Sequence, residues 1–167
     1  MASYDAGKPE IVNWIREHFP RGSSCLDVGA CDGKWSDLLR DYLIMDGIEA
    51  FEPNITGHNL AAKYRKIICK DIADYRYFWY DLIIFGDVIE HMDVKKAQKV
   101  LRYAKRHCTD IIIGVPWCLR QPAIYGNPWE VHIQDDLTEE LFHQRYKGFD
   151  RIIQPLPDYA YFHKAEK

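Results

Sequence analysis

A glycine turn near the N-terminus is the first part of the chain whose residue types suit chemistry on a ligand. The segment Cys25–Ser36 begins as an apolar run and then passes through Gly29 and Gly33 into an amphipathic helical pattern. Because glycine has no Cβ, such a turn lets a ligand approach the backbone closely. The helix that follows offers unpaired N–H groups to an electronegative ligand. The segment therefore predicts a ligand site between a strand and a helix.

Acidic residues follow this turn at the places where later apolar runs stop. Glu52 comes after Gly29 at about the 20-residue spacing at which an acid meets ribose hydroxyls. A carboxylate accepts two hydrogen bonds from a vicinal diol, so Glu52 suits a nucleoside. Asp71 is placed to accept from an exocyclic amine such as that of adenine, with Ile72 covering a ring face. Asp87 ends the next apolar run and completes the series.

Hydrophobic periodicity predicts a chain in which strands alternate with helices. The predicted strands are Ser24–Val28, Gly47–Phe51, Lys66–Cys69, Tyr80–Phe85, Asp110–Val115, Arg151–Pro155 and Tyr159–His163. The predicted helices are Pro9–Phe19, Lys34–Leu43, Ile55–Ala62, Val94–Arg106 and Thr138–Tyr146. This order predicts an α/β fold with a Rossmann-like, open, mostly parallel sheet of seven strands and helices on both faces. The last two strands have no helix between them, so one C-terminal strand is expected to be antiparallel.

One long irregular segment, residues 116–136, follows the fifth strand and leaves the sheet at its carboxyl edge, where ligands bind in such folds. A loop of that length in a compact domain is usually functional. Its His132 and the earlier His91 are candidates for a general base, because the ordinary pKa of histidine lies near neutrality. A packing role for either histidine is the alternative. The loop also offers aromatic walls and a cation, at Tyr125, Trp129 and Arg120.

Composition and charge exclude several classes of protein. The chain has 167 residues, 47% of them hydrophobic and 28% charged, which suits one folded domain. A net charge of −3 excludes a basic nucleic-acid footprint over the whole protein. No apolar run approaches the ~20 residues of a membrane span, and the N-terminus lacks the apolar core of a signal peptide. Five cysteines without a Cys-x-x-Cys pair favour reduced thiols in the cytoplasm over disulfides or a zinc site, and no metal is expected.

Two segments together resemble the class I S-adenosylmethionine-dependent methyltransferases. The first is Asp27-Val-Gly29-Ala-Cys31-Asp-Gly33, and the second is Gly86-Asp87-Val-Ile-Glu90-His91, which matches the D-V-x-E-H pattern of the small-molecule branch. The resemblance covers roughly residues 23–117. It implies one methyltransferase domain with an N-terminal helix over 1–22, a cofactor-binding core over 23–115, a substrate or lid loop over 116–136, and a C-terminal helix and hairpin over 137–167.

The resemblance also implies S-adenosylmethionine as the cofactor, with the methionine part beside Gly29, the ribose at Glu52 and the adenine at Asp71. The full set of implied cofactor-binding residues is Asp27, Gly29, Ala30, Cys31, Gly33, Glu52, Pro53, Asp71, Ile72 and Asp87. Members of this family usually have a glycine where Cys31 stands, so a side chain narrows the turn in this chain.

Two absent motifs favour a small-molecule O- or N-acceptor over nucleic acid. Methyltransferases that act on amino groups of nucleic acids or glutamine amides have an acid or Asn, two prolines and an aromatic after the fourth strand, where this chain has Gly86–Ile89. The similar-looking Asn127-Pro-Trp129 follows the fifth strand and is interpreted as a turn. The Pro-Cys nucleophile of cytosine carbon-5 methyltransferases is also missing from the fourth motif. The protein is expected to be a monomer or a homodimer.

Several of these residues also have a simpler structural interpretation. Asp71 also suits a helix cap, Glu90 and His91 also suit the surface, and the basic run over 95–106 also suits a solvated helix face. Two other functions share parts of the pattern. A nicotinamide-dependent oxidoreductase uses the same strand, glycine turn and acid, although the Gly-x-Gly-x-x-Gly motif is absent here. The third possibility is a non-catalytic domain of the same fold that binds S-adenosylmethionine.

Overall fold

The computed structural model describes residues 4–124 and 126–165, and they form one seven-stranded sheet flanked by helices. The strands are β1 Ser24–Val28, β2 Ile44–Glu49, β3 Lys66–Cys69, β4 Tyr80–Gly86, β5 Cys108–Pro116, β6 Phe149–Leu156 and β7 Tyr159–Lys164. The helices are α1 Lys8–His18, α2 Lys34–Leu39, α3 Glu52–Gly57, α4 Leu60–Lys63, α5 Val94–Ala104 and α6 Glu139–Arg145. Three 3-10 turns cover Ile72–Asp74, Ile89–His91 and Pro128–Glu130.

The strand order is β3-β2-β1-β4-β5-β7-β6, and β7 runs antiparallel to both of its neighbours. The other neighbouring pairs, from β3 to β5, are parallel. The predicted open, mostly parallel sheet with an antiparallel C-terminal strand is confirmed. The chain builds outward from β1 to β3 and then returns to place β4 on the other side of β1. This reversal between β1 and β4 opens a crevice at the carboxyl ends of both strands, where folds of this kind bind ligands.

Helices cover both faces of the sheet, and each face has its own apolar core. The central strand, β4, is buried on both sides: its residues Ile83, Ile84 and Phe85 have no exposed surface. Because successive strand residues point to opposite faces, Ile83 and Phe85 join the core under α5 and α6, while Ile84 joins the core under α1 and α2. No helix in residues 4–124 and 126–165 is long and apolar enough to cross a bilayer.

The second strand lies earlier in the chain than the hydrophobic pattern predicts. The structure ends β2 at Glu49, whereas the pattern places the strand over Gly47–Phe51. The reason is Asp46, a buried acid inside β2 that interrupts the apolar run. Arg65 donates to both of its carboxylate oxygens, at 2.9 and 2.7 Å, and the Tyr80 hydroxyl donates at 2.9 Å. These bonds compensate the buried charge, so a strand forms where the sequence appears too polar.

Two predicted helices also differ from the structure. The predicted helix over Ile55–Ala62 is two short helices, because Asn59 adopts the left-handed conformation with φ of 52° between α3 and α4. The helix that starts at Lys34 ends at Leu39 rather than Leu43.

Candidate functional site

A cleft of about 1080 Å³, including its open mouth, lies at the carboxyl ends of β1, β2, β4 and β5. Eight of the residues proposed above as cofactor-binding residues or bases line it: Gly29, Ala30, Cys31, Asp71, Ile72, Asp87, His91 and His132. The cleft is therefore where both the cofactor candidates and the base candidates come together.

The glycine turn after β1 forms the floor of the cleft. Gly29 has φ of 71°, and a Cβ there would lie only 2.8 Å from Val88 Cγ2, so the position requires glycine on both counts. Cys31 is left-handed as well, with φ of 46°, although it has a side chain. Its backbone N–H donates to Glu49 Oε2 at 2.7 Å, and burial raises the pKa of its thiol to about 12. Cys31 is thus a protonated thiol in a strained turn.

Glu49, which the sequence analysis missed, is the acid at the end of β2. It is 5% exposed, lines the cleft, and also accepts from the N–H of Phe51 at 2.8 Å through Oε1. Glu52 and Pro53, predicted for this place, lie instead in the first turn of α3, where both are exposed and outside the cleft lining. The correction follows from the position of β2, which starts three residues and ends two residues earlier than predicted.

Two other predicted cofactor residues lie outside the cleft. Asp27 points to the face of the sheet opposite its neighbour Val28, and its carboxylate accepts from the Tyr64 hydroxyl. Burial raises the pKa of Asp27 to about 7. Gly33 precedes α2 as its left-handed N-cap, with φ of 81°, and shapes the turn without lining the cleft. Side-chain alternation along β1 explains the position of Asp27, because only alternate residues face the cleft.

Asp71 follows β3 and lines the cleft with the buried Ile72. Its Oδ1 accepts from Ala73 N at 2.9 Å and caps the 3-10 turn, so the helix-cap interpretation is confirmed. Its Oδ2 pairs with Lys96 Nζ at 2.6 Å. Lys96 therefore faces the cleft, and its Nζ lies 5.2 Å from the centre of the Trp129 ring. At this residue the basic run over 95–106 is more than a solvated helix face.

Two acids lie at the end of β4: Asp87 is half-buried and Glu90 is buried. Asp87 is left-handed, with φ of 56°, and accepts from Tyr4 N at 3.1 Å, which brings the N-terminal segment over the cleft. Burial raises the pKa of Asp87 to about 6. Glu90 is 1% exposed, and neither carboxylate oxygen has a hydrogen-bond partner in any other residue that the structure describes. Burial, together with the charge of Asp87, raises the pKa of Glu90 well above its usual range.

His91 and His132 meet beside Glu90, with ring centroids 4.7 Å apart. Nδ1 of His91 lies 3.1 Å from the carbonyl oxygen of Val131, and Nδ1 of His132 lies 2.7 Å from that of Leu119. A carbonyl oxygen only accepts, so both Nδ1 atoms donate and both Nε2 atoms keep a lone pair. Burial lowers the pKa of His91 to about 4 and also lowers the pKa of His132. Both rings are therefore neutral at pH 7.

The segment over 116–136 covers this side of the cleft and is tied to the fold at several points. The N–H groups of Ile133 and Gln134 donate to the carbonyl oxygen of Glu90, and the Gln134 side chain donates to the carbonyl oxygens of Ile89 and Met92. Asn127 caps the turn Pro128–Glu130, which confirms the interpretation of Asn127–Trp129 as a turn.

The proposed walls of this segment have mixed outcomes. Trp129 lines the cleft, Arg120 is exposed and outside its lining, and Tyr125 lies outside the described residues. Tyr4 and Trp35 line the cleft too, although no motif or spacing in the chain selects either of them. An aromatic residue near the N-terminus has no local signal that it will fold back onto a sheet edge.

A scan against protein-family models finds no match, and a search of curated proteins finds none either. Solved structures do match. A S-adenosylmethionine-dependent methyltransferase from Clostridium acetobutylicum has a TM-score of 0.71 at 10% identity, over 94% of this chain and 89% of that one. The PH0226 protein from Pyrococcus horikoshii has a TM-score of 0.73 at 16% identity, over 98% of this chain and 89% of that one.

A third match was solved with S-adenosylmethionine bound. The magnesium protoporphyrin IX methyltransferase from Synechocystis PCC 6803 has a TM-score of 0.68 at 14% identity, over 95% of this chain and 77% of that one. The chain therefore has the fold of the class I S-adenosylmethionine-dependent methyltransferases, and the predicted resemblance is confirmed at the level of the fold.

Proposed function

We propose that this protein transfers a methyl group from S-adenosylmethionine to an oxygen or nitrogen atom of a small molecule. The observation that supports this most strongly is the lining of the cleft. A methyltransferase fold brings a glycine turn, a strand-end glutamate and a strand-end aspartate to one crevice, at Gly29, Glu49 and Asp71. These are the three kinds of group that a sulfonium nucleoside needs around it.

In this proposal the end of β2 binds the ribose. Glu49 takes the role that the sequence analysis gave to Glu52, because Glu49 faces the cleft and Glu52 does not. Its two oxygens already accept one backbone N–H each, at 2.7 and 2.8 Å, which fixes the carboxylate in place. A carboxylate has about four acceptor sites, so a further site on each oxygen remains for the 2′- and 3′-hydroxyls.

The adenine lies next to Asp71 and Ile72 in the proposal, and the methionine part lies next to Gly29. One oxygen of Asp71 accepts from the adenine amino group in addition to its bond with Lys96, and Ile72 covers a ring face. The absence of a Cβ at Gly29 leaves room for the methionine part to approach the backbone. Asp87 stands at the end of β4, between this half of the cleft and the half that contains Glu90.

The acceptor occupies the half of the cleft that contains His91 and His132. The acceptor atom attacks the sulfonium methyl in line, the sulfur keeps the electron pair of the breaking S–CH₃ bond, and the acceptor loses its proton. A neutral imidazole with an available Nε2 is able to take that proton. Most of the acceleration comes from positioning the acceptor against the methyl group. The small-molecule assignment is supported by the Synechocystis enzyme, whose name gives a porphyrin as its substrate.

Calorimetry with S-adenosylhomocysteine and with NADH tests the cofactor. We expect one S-adenosylhomocysteine site per chain and no NADH binding. Binding of NADH without affinity for either sulfur nucleoside would favour the oxidoreductase and refute the proposal. The missing Gly-x-Gly-x-x-Gly motif at Gly29–Gly33 argues against that outcome.

Methyl transfer itself needs a second experiment. The protein is incubated with a metabolite extract and S-adenosylmethionine that has a trideuterated methyl group, and mass spectrometry then identifies labelled products. The Glu49→Ala variant is the control, because it keeps the acceptor half unchanged. Tight S-adenosylhomocysteine binding with no labelled product across extracts would favour the non-catalytic domain.

A further inference from the structure

We propose that Glu90, His91 and His132 form a binding site for a divalent transition-metal ion in the acceptor half of the cleft. One ligand atom from each residue lies within 4.8 Å of the other two. A metal ion bound at ~2.0–2.2 Å from nitrogen and oxygen ligands brings those ligands to about 3–3.5 Å from one another, so small side-chain rotations close the site. No other group of three such side chains in the described residues is as close together.

The two histidines are already in the form that binds a metal. Each Nδ1–H donates to a backbone carbonyl oxygen, that of Val131 or Leu119, which fixes the tautomer and leaves Nε2 as the ligand atom. This outer contact is the one that metal-binding histidines make in most proteins. Both partners belong to the segment over 116–136, so the segment holds the rings in place. A general base needs only one such ring, and two rings 4.7 Å apart are better explained by a shared ligand.

Glu90 supplies the independent observation. Its carboxylate is almost fully buried and faces the cleft, yet neither oxygen has a hydrogen-bond partner in any other residue among those described. A buried polar group without a partner costs free energy, and folded proteins seldom retain one unless a ligand completes it. The backbone of Glu90 is fixed by bonds from Ile133 and Gln134. The fold therefore holds the Glu90 side chain at the cleft without giving its carboxylate oxygens a hydrogen-bond partner among the other described residues.

The ligand set indicates the class of ion. Two imidazole nitrogens and one carboxylate oxygen suit Zn²⁺, Co²⁺, Mn²⁺ or Fe²⁺, whereas Mg²⁺ and Ca²⁺ prefer oxygen ligands throughout. Three protein ligands leave at least one coordination position open, as in catalytic sites rather than structural ones. The proposed function assigns the acceptor to the same part of the cleft, so an acceptor oxygen is able to take that position.

The role of the ion rests on the proposed function. An acceptor hydroxyl bound to the metal has a lowered pKa and releases its proton to water, as metal-bound water does. Its oxygen then attacks the methyl group: an O–CH₃ bond forms, the S–CH₃ bond breaks and the sulfur keeps the electron pair. In this form the imidazoles of His91 and His132 are ligands rather than bases, and the acceptor atom is an oxygen.

Metal binding is tested on the full chain without cofactor, so that the result does not depend on methyl transfer. Protein treated with EDTA and dialysed is titrated with Co²⁺, followed by visible absorption, and with Zn²⁺, followed by calorimetry. We expect one ion per chain. His132→Ala and Glu90→Gln are expected to weaken Co²⁺ binding more than ~100-fold, beyond the effect of losing an outer contact alone. His58→Ala and Glu52→Gln, at exposed positions outside the cleft, are the matched controls and are expected to bind Co²⁺ as the wild type does.

Circular dichroism and the unfolding temperature show whether each variant folds, and His91→Gln replaces Glu90→Gln if the latter does not. Absence of a one-to-one Co²⁺ or Zn²⁺ complex in the wild type would overturn the inference. Binding that survives in both His132→Ala and His91→Gln would place the ion elsewhere and overturn it equally. S-adenosylhomocysteine binding is measured in parallel. If the nucleoside binds and the metal does not, the inference fails alone; if the metal binds and the nucleoside does not, the proposed function fails alone.

Discussion

The two halves of the cleft differ in whether their carboxylates have hydrogen-bond partners. In the half at the ends of β1, β2 and β3, the carboxylates already have partners: Glu49 accepts two backbone N–H groups, and Asp71 accepts one and pairs with Lys96. In the half at the end of β4, both oxygens of Glu90 lack a partner outside their own residue in the part of the chain described. The first half holds its groups ready for hydrogen bonding, whereas the second is incomplete until something binds.

This difference indicates which half of the cleft recognises the ligand and which half carries out the reaction. Groups that only need to recognise a ligand are held by many internal bonds, and their positions cost nothing further when the ligand arrives. Groups with shifted pKa values, and buried polar atoms without a hydrogen-bond partner, are typical of catalytic sites. Asp87, Glu90 and His91, whose pKa values are shifted, all lie within five residues of the end of β4. We therefore expect substitutions in the first half to change affinity and substitutions in the second half to change turnover.

The largest effect is expected for His132→Ala. Loss of a proton acceptor or of a metal ligand at this place should lower kcat by ~100-fold or more, since general acid–base catalysis typically contributes 10²–10⁴-fold. The dissociation constant of S-adenosylhomocysteine should change less than twofold, because the ring belongs to the other half. Steady-state kinetics on the identified acceptor and calorimetry measure the two quantities. A variant with full turnover would break the comparison and leave only positioning to explain catalysis.

The next effect is expected for Glu49→Ala. The variant loses charge-assisted hydrogen bonds to both ribose hydroxyls, worth about 2–4 kcal/mol together, which corresponds to a loss of ~30-fold to several hundred-fold in affinity for S-adenosylhomocysteine. The matched control is Glu52→Ala, which removes an acid three residues away that is exposed and outside the cleft. Calorimetry should show no change for it. A larger loss in Glu52→Ala than in Glu49→Ala would return the ribose to the residue that sequence spacing selects.

The pair Glu49 and Glu52 also shows what the sequence is able to predict. The succession of strands and helices along the chain, the antiparallel C-terminal strand and the glycine turn at Gly29 follow from periodicity and from the special conformation of glycine. The position of β2 along the chain does not, because the strand includes Asp46, a buried acid that is compensated by Arg65, a partner that only the folded structure supplies. An error of three residues moves an acid from a strand end into a helix.

The acceptor half was accessible to sequence reasoning only in part. Glu90 and His91 stand out within the motif after β4, and His132 stands out within a long loop. Nothing local indicates that these side chains meet, because the contact depends on how the segment over 116–136 folds back onto Glu90. The missing partners of the Glu90 carboxylate are likewise a property of the packed structure. The sequence predicts no metal because the spacing rules for metal sites, such as the Cys-x-x-Cys pair, compare ligands that are close together in the chain.

A smaller effect is expected for Asp71→Ala. The variant loses one charge-assisted hydrogen bond to the adenine amino group, worth about 1.5 kcal/mol, or ~10-fold in affinity for S-adenosylhomocysteine. Asp71→Ala also removes the ion pair with Lys96, so Lys96→Met serves as the control: it removes the ion pair and leaves the carboxylate, with its cap on the turn Ile72–Asp74, in place. We expect Lys96→Met to change affinity less than threefold. Equal losses in both variants would show that the ion pair, rather than adenine recognition, governs this end of the cleft.

The smallest effect is expected for Cys31→Gly, which tests how far the first half is already optimised. A glycine is more flexible in the unfolded chain, which costs up to about 1 kcal/mol, but Cys31 occupies the left-handed region at φ of 46°, where a side chain costs about as much. The two terms oppose each other, so the free energy of unfolding should change by less than ~1 kcal/mol. Removal of the side chain widens the turn, so S-adenosylhomocysteine should bind equally well or slightly more tightly.

Cys31→Val is the contrasting variant, since a β-branched residue is an outlier at positive φ and should destabilise the fold more clearly than glycine does. Thermal unfolding and calorimetry on both variants separate the backbone effect from the ligand effect. A Cys31→Gly protein that folds normally but binds S-adenosylhomocysteine more than tenfold more weakly would show that the thiol itself contacts the ligand. The thiol would then be a further recognition group in this half, held by the bond from its own backbone N–H to Glu49.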